Sequence, residues 1–192
     1  MHRKHLLELL DGYETSNPAE SHVVQQIRAL VRNQERCCYR DCFPGHVTGS
    51  AFVLDHERRH FLLHHHKKLD KWLQFGGHAD GDTNPAAVAL REAQEESGIL
   101  ALAPLLADCT LPLDLDVHVI PARGFEPEHE HHDFRYAFVA AAEAQAALSD
   151  ESLALRWFPV ASLEQVVHEE GLLRLARKAI AIKRCKTFPT PA

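Results

Sequence analysis

The sequence lacks any long apolar run, and no stretch approaches the roughly 18 consecutive apolar residues that a membrane span requires. It also lacks a basic excess, because 21 lysines and arginines against 27 acidic residues give a net charge of −6. A general nucleic-acid binder would usually carry a basic face, so we expect neither a membrane nor a nucleic acid as a partner. Without internal repeats or low-complexity segments, the 192 residues predict one domain, or one domain with an accessory segment.

A secretory leader is not expected either. The opening segment Met1–Lys4 is basic, but Glu8 and Asp11 interrupt the apolar run that would have to follow. The cysteine count of five is odd, as in chains that do not rely on a disulfide framework. We therefore predict a reducing, cytoplasmic location.

Helical signals dominate the first part of the chain. Leu6, Leu9 and Leu10 form a short apolar stripe, and Asn17–Glu20, with its proline at the first turn, is typical of the start of a second helix. This helical pair could cap the core, line a pocket or form a homodimer contact. The sequence alone does not choose among these roles.

A group of cysteines follows the helical pair. Cys37, Cys38 and Cys42, with His46 nearby, can be read as a structural zinc site. Adjacent cysteines are awkward for a single tetrahedral site, however, and no second paired set follows them. Zinc binding here is therefore the weaker interpretation.

Three glutamates near the middle of the chain share one face of a predicted helix. The helix is expected to begin at Asn84-Pro85 and to end at Gly98, and Glu92, Glu95 and Glu96 are spaced at i, i+3 and i+4. Carboxylates packed this closely repel one another unless a cation lies among them. Their hard oxygen donors suit Mg²⁺ or Mn²⁺, and these ions favour substrates that carry phosphate.

The same stretch closely resembles the Nudix box, the signature of the Nudix hydrolases. The pattern starts at Gly77, continues to Arg91-Glu92 and Glu95-Glu96, and closes with Gly98 and an apolar residue. One element departs from it, since Thr83 stands where the family has its first glutamate. In the family that glutamate supports the arginine, so the departure affects the tuning of Arg91 more than the chemistry.

The resemblance covers roughly residues 46–185 and implies an α/β fold, an α/β/α sandwich around a mixed β-sheet. We expect a helical extension over residues 1–45 and a Nudix hydrolase domain over residues 46–192. The implied reaction is hydrolysis of a pyrophosphate bond in a nucleoside diphosphate linked to another moiety X. Its cofactor would be Mg²⁺ or Mn²⁺, and its substrate a small nucleotide-type molecule whose X group and base stay open.

The resemblance also implies roles for single residues. The implied metal ligands are Gly77, through its carbonyl, Glu92, Glu95 and Glu96. Arg91 is expected to orient Glu95 through a charge-assisted hydrogen bond. The catalytic base is either Glu95 or Glu151, since many family members carry a further glutamate in the loop before a strand like the one that bears Trp157.

A second polar segment is predicted to be a strand. Side chains alternate along a strand, so His129, His131, Asp133 and Arg135 would share one face. The run resembles a His-x-His-x-Asp-x-Arg pattern of a bacterial Nudix subgroup in which a histidine follows the glycine pair. We expect this face to bind substrate, with imidazole or guanidinium meeting phosphate; a solvent-facing polar strand and a second metal site are the alternatives.

Two rival functions follow from the same family resemblance. A noncatalytic Nudix-like binding or regulatory domain commonly loses box acids, whereas this chain keeps all three. An isopentenyl-diphosphate isomerase-like enzyme would need a cysteine and a glutamate facing the isoprenoid, which the intact hydrolytic box does not favour.

Overall fold

The computed structural model describes residues 3–15, 17–106, 108, 110–150 and 152–182. Its elements, in chain order, are α1 (Lys4–Gly12), α2 (Pro18–Asn33), β1 (Gly45–Leu54), β2 (His60–His66), β3 (Lys71–Leu73), β4 (Phe75–His78), α3 (Pro85–Ser97), β5 (Leu102–Pro104), β6 (Asp114–Ile120), β7 (His129–Ala140), β8 (Ser152–Pro159), α4 (Leu163–Val166) and α5 (Glu170–Ala181). None of the helices in these described ranges is long and apolar enough to cross a bilayer.

All eight strands belong to one mixed sheet. The path β3-β2-β1-β7-β5 forms its spine, while β4 pairs with β1, β6 with β7 and β8 with β2. Strand β1 pairs in parallel with residues 130–139 of β7 over its whole length, and the other pairs are antiparallel. This sheet confirms the predicted α/β class.

Helices cover both faces of the sheet. On one face α1, α2 and α3 pack into a core that includes Leu6, Ile27, Val88 and Phe134. On the other face α4 and α5 pack against a second core centred on Phe52 and Phe61. The predicted α/β/α sandwich is therefore confirmed, and the N-terminal helices cap one side of its core.

The predicted ends of α3 and the predicted start of α2 are confirmed. The side chain of Asn84 accepts a hydrogen bond from the amide of Ala87, and Pro85 follows at the first turn. Gly98 ends the helix with φ of 70°, a left-handed conformation that glycine adopts without steric cost. Asn17 likewise caps α2, and its side chain accepts a hydrogen bond from the amide of Ala19.

Candidate active site and an adjoining histidine cluster

Two glycines of β4 allow α3 to present its acids directly against the sheet. Gly76 and Gly77 pair with Ser50 and Gly49 of β1. Gly49 in turn lies under α3, because a Cβ placed on it would sit 2.7 Å from the carbonyl oxygen of Pro85. The absence of side chains at these positions brings the helix and the two strands together.

The three predicted carboxylates occupy different environments. Glu92 extends over Gly77, so that a Cβ on this glycine would lie 2.4 Å from the Glu92 carboxyl carbon. Glu96 is buried, and its Oε2 accepts a hydrogen bond of 3.0 Å from the amide of Gly76. The side chain of Glu95 is 61% exposed. Glu92 and Glu96 are thus held against β4, while Glu95 faces the solvent beside them.

Arg91 lies closer to the carboxylate of Glu92 than to that of Glu95, its expected partner. Its Nη1 lies 2.9 Å from Oε1 of Glu92 and 3.7 Å from Oε2 of Glu95. The second contact is an ion pair too long for a hydrogen bond, so the predicted hydrogen bond to Glu95 is not formed. Nη2 also donates to the carbonyl of His78 at 3.2 Å. Arg91 therefore joins Glu92 to the end of β4.

The donor set fits Mg²⁺ or Mn²⁺. Oxygen ligands from carboxylates and a backbone carbonyl are the kind these ions bind. The carboxylate of Glu92 occupies the space that a Cβ at position 77 would need. The absence of a side chain on Gly77 therefore lets this carboxylate lie beside the backbone of β4. The residues that could hold the ion are Gly77, Glu92, Glu95 and Glu96.

Glu151, the alternative base, lies outside the described residues. Its neighbour Ser152 begins β8, and the Ser152 hydroxyl is 2.9 Å from Nδ1 of His64. The same His64 nitrogen is 3.7 Å from Oε1 of Glu96. Burial lowers the pKa of His64 to about 4, with a smaller contribution from nearby His66. A neutral histidine therefore connects the start of β8 with the box helix.

The predicted shared face of β7 contains a buried ionic network. Arg135 is 5% exposed, and its Nε donates to Asp133 at 2.8 Å while its Nη2 donates to Asp116 at 2.8 Å. The hydroxyls of Thr48 and Ser50 also donate to Asp133, each at 2.9 Å. The guanidinium is thus already bound to carboxylates, and substrate binding by Asp133 and Arg135 stays a prediction.

This face of β7 is turned away from α3. Arg135 lies against α5, since a Cβ on Gly171 would be 2.9 Å from its Nη1. Phe134, the intervening residue, packs in the same core as Val88 and Ala89 of α3. The acidic helix and the polar face of β7 therefore lie on opposite sides of the sheet.

Beyond this ionic network, the same face gathers five histidines. Ring centroids of His46 lie 4.9 Å from His129, 4.9 Å from His131 and 5.0 Å from His78, and His118 is 5.4 Å from His131. Parallel pairing places His46 opposite His131, and β6 places His118 opposite the same residue. Strand alternation predicts His129 and His131 on this face, but the sequence suggests His46 only as a companion of the cysteines and does not predict that His78 and His118 join them. Alternation along β1 could have placed His46 on a polar face, whereas the pairing of the strands brings the five rings together.

Burial keeps three of these imidazoles neutral, those of His46, His78 and His131. It lowers the pKa of His46 to about 4, helped by the neighbouring His78. For His131 burial and the nearby His118 lower the pKa to about 2. Burial, followed by the nearby Arg40, also lowers the pKa of His78. At neutral pH these rings therefore carry free lone pairs and no charge.

The structure also bears on the zinc interpretation of the cysteines. Cys37, Cys38 and Cys42 are all buried. In the part of the chain that the structure describes, however, His46 joins a metal-capable group with His129 and His131 and not with the cysteines. The cysteine interpretation is therefore not supported.

A separate cleft lies away from the acidic helix. Its volume is about 480 Å³, and its walls include Tyr13, Glu20, Leu111 and Lys178, with no residue from Gly77 to Ile99. Lys178 donates to Glu20 at 2.7 Å and to Asp114 at 2.7 Å, which ties α5 to α2 and β6. This cleft is formed by the N-terminal segment together with the loop before β6 and with α5, and no residue of the acidic helix lines it.

Comparison with known proteins places these features in a family. The NUDIX domain model matches residues 45–178. A NUDIX-family hydrolase from Clostridium perfringens is 27% identical, with a TM-score of 0.50 over 70% of this chain and 95% of that one. A C. elegans Ap4A hydrolase is 18% identical, with a TM-score of 0.55 over 69% of this chain and 93% of that one. The E. coli dihydroneopterin triphosphate pyrophosphohydrolase is 13% identical, with a TM-score of 0.53 over 71% and 96%. No curated protein matches the chain.

Proposed function

The chain belongs to the Nudix domain family and is a hydrolase, and from that premise we propose its reaction: metal-dependent cleavage of the pyrophosphate bond in a nucleoside diphosphate linked to another moiety X. One observation carries the proposal. Glu92 and Glu96 are held against the glycines of β4, with Glu95 exposed beside them. Two carboxylates in fixed positions therefore lie beside a third carboxylate that solvent and substrate can reach.

The cofactor we propose is Mg²⁺ or Mn²⁺, held by the carbonyl of Gly77 and by Glu92, Glu95 and Glu96. When bound, a divalent ion neutralises diphosphate oxygens and lowers the pKa of a coordinated water. The protein's contribution is positional. Nη1 of Arg91 lies 2.9 Å from Oε1 of Glu92, and Nη2 of Arg91 donates to the carbonyl of His78. The Glu92 carboxylate is therefore in position before substrate binds.

The proton from the attacking water needs an acceptor. Glu95 is the described residue best suited to this role, because it is exposed and is not engaged in a hydrogen bond with Arg91. Glu151 is the competing base, and the residue after it in the sequence, Ser152, contacts His64, whose Nδ1 is 3.7 Å from Oε1 of Glu96. Attack by water at one phosphorus expels the other phosphate, so the products are two monophosphates.

The substrate class rests on the family and on its named structures. The C. elegans and E. coli proteins are named for Ap4A and for dihydroneopterin triphosphate, and both molecules contain phosphoric anhydride bonds. At 18% and 13% identity these likenesses concern the fold, so the X group stays open. We propose a small nucleotide-type molecule as the substrate.

A panel assay tests this proposal. The purified chain is incubated with ADP-ribose, nucleotide sugars, dinucleotides and dinucleoside polyphosphates, and the products are separated by anion-exchange chromatography. We expect monophosphate release in Mg²⁺ or Mn²⁺, none after chelation, and recovery when the ion is returned. Reaction in ¹⁸O-labelled water should place the label in one product phosphate.

The outcome also separates the rival functions. Binding of a panel member without turnover in any divalent ion would favour a regulatory domain. Turnover that persists undiminished after chelation would contradict the proposed metal dependence. A control is Glu128→Gln, which removes an exposed carboxylate outside the segment Gly77–Ile99 and should leave turnover unchanged.

A further inference from the structure

Three histidines of the cluster offer their nitrogens to one point. His46 comes from β1, and His129 and His131 come from β7, and one ring nitrogen of each lies within 4.8 Å of the other two. His46 is 0% exposed and His129 is 3% exposed. Their convergence follows from the parallel pairing of the two strands, which places these side chains on one face.

These nitrogens have no hydrogen-bond partner among the described residues. Both ring nitrogens of His46, and Nε2 of His129 and of His131, are buried and unpaired. Buried polar atoms in native proteins are almost always satisfied, because leaving one unpaired costs free energy. Several unpaired nitrogens that lie close together provide donors suited to a ligand that accepts lone pairs.

The tautomer of His129 is suited to binding such a ligand. Its Nδ1 lies 2.9 Å from the carbonyl of Pro127, and a carbonyl can only accept a hydrogen bond. Nδ1 must therefore carry the proton, which leaves the lone pair on Nε2. Histidines that bind metals are usually oriented in this way by a second partner.

We propose that His46, His129 and His131 form a binding site for a transition-metal dication of the zinc type. Neutral imidazole is a common ligand for such ions, whereas Mg²⁺ prefers oxygen. An ion about 2.1 Å from each nitrogen needs nitrogens roughly 3.4 Å apart, so small ring rotations complete the site. Glu126, whose Oε1 is 3.8 Å from Nε2 of His129, offers a carboxylate as a fourth donor.

This site is separate from the acidic site on α3. The histidines share the face of the sheet that carries Asp133 and Arg135, which lies against α5. The carboxylates Glu92 and Glu96 contact β4 from the other face. The two sites also differ in donor type, nitrogen in one and oxygen in the other, so one ion is not expected to satisfy both.

Metal binding by the full chain tests the inference. Chelator-treated protein is titrated with Zn²⁺ by calorimetry and with Co²⁺ by absorption spectroscopy. We expect one tight equivalent of Zn²⁺ and a Co²⁺ spectrum without a thiolate charge-transfer band. Weak or absent Zn²⁺ binding would overturn the proposal, and so would a thiolate band, which would move the site to the nearby cysteines.

Matched variants locate the site. His131→Gln should weaken Zn²⁺ binding by more than about tenfold, because losing even an outer partner of a metal ligand has an effect of that size. His132→Gln alters the next residue of β7, which is buried on the other face, and should bind Zn²⁺ like the wild type. Equal losses in the two variants would contradict the proposal.

X-ray absorption spectroscopy of the zinc-loaded wild type identifies the zinc ligands without a variant. It therefore tests the proposed site even if His131→Gln does not fold. Three imidazoles at about 2.0 Å are expected. A shell of oxygens without imidazole scattering would refute the site. Glu92→Gln is the second control, and it should keep the tight Zn²⁺ equivalent, because Glu92 lies on the opposite face.

Discussion

Gly77→Ala should damage catalysis without unfolding the protein. The new Cβ would lie 2.4 Å from the Glu92 carboxyl carbon and 2.6 Å from each carboxylate oxygen. Nonbonded carbons settle at about 3.5–4.0 Å, so the carboxylate has to move by about 1 Å or more. A misplacement of that size can reduce turnover by about 10²-fold, equivalent to about 2.7 kcal/mol of transition-state stabilisation.

The stability of this variant should change little. Gly77 has no positive φ, so alanine can adopt its backbone conformation. The group that the new Cβ meets is the end of a flexible side chain. Replacing glycine with alanine also reduces the conformational entropy of the unfolded chain, which raises the free energy of unfolding by about 0.4–1 kcal/mol. We therefore expect the free energy of unfolding in urea to stay within about 1 kcal/mol of the wild type.

The assay compares kcat/KM for the best panel substrate with Mn²⁺ affinity and urea stability. Gly12→Ala is the matched control, since its Cβ would also meet a flexible side chain, at 2.8 Å from a methyl of Leu111, but far along the chain from the box. It should keep full activity. The reasoning is refuted if Gly77→Ala keeps more than about a third of wild-type activity, or if its loss is explained by unfolding.

Four further predictions concern single residues. Glu95→Gln should lower kcat by about 10²–10⁴-fold, and a folded variant that keeps more than about a tenth of the activity at saturating Mg²⁺ would contradict the assignment. Thr83→Glu should change activity only a few-fold, because the box arginine already pairs with a carboxylate at 2.9 Å; a hundredfold rise would instead mark the natural chain as a weakened catalyst. Arg135→Lys should lower kcat/KM and reduce the free energy of unfolding in urea by about 1–3 kcal/mol, since lysine cannot bridge the carboxylates that the guanidinium bridges. The control His132→Ala should leave kcat/KM unchanged. A larger loss of kcat/KM in His132→Ala than in Arg135→Lys would contradict the assignment of these residues to opposite faces. Burial raises the pKa of Glu20, but hydrogen bonds from Lys178, Tyr13 and Thr15 together with the charge of Lys178 outweigh it, and the net effect lowers the pKa from its usual value of 4.5. This carboxylate therefore stabilises the fold above about pH 4.5, and its contribution is lost as the pH falls. Glu20→Gln should lose less stability between pH 7 and about pH 3 than the wild type, and equal losses would refute this.

The sequence by itself determined the local features of the acidic helix. The asparagine cap, the proline at the first turn and the closing glycine are local signals, and the structure begins and ends α3 where they predict. The spacing of Glu92, Glu95 and Glu96 depends only on helical geometry, so their shared face needed no tertiary information. The shared face of His129 and Arg135 followed in the same way from strand alternation.

Tertiary structure alone decided which groups meet. His46 and His131 lie far apart in the sequence and become neighbours through the parallel register of β1 and β7, which no local pattern specifies. The same applies to Arg91, whose helical spacing suggests Glu95 although the packing of α3 on β4 places Glu92 closer. Local propensities depend on the nearest few residues, whereas strand register and helix docking depend on the burial of the whole core. The acidic helix could therefore be predicted from the sequence, and the histidine cluster could not.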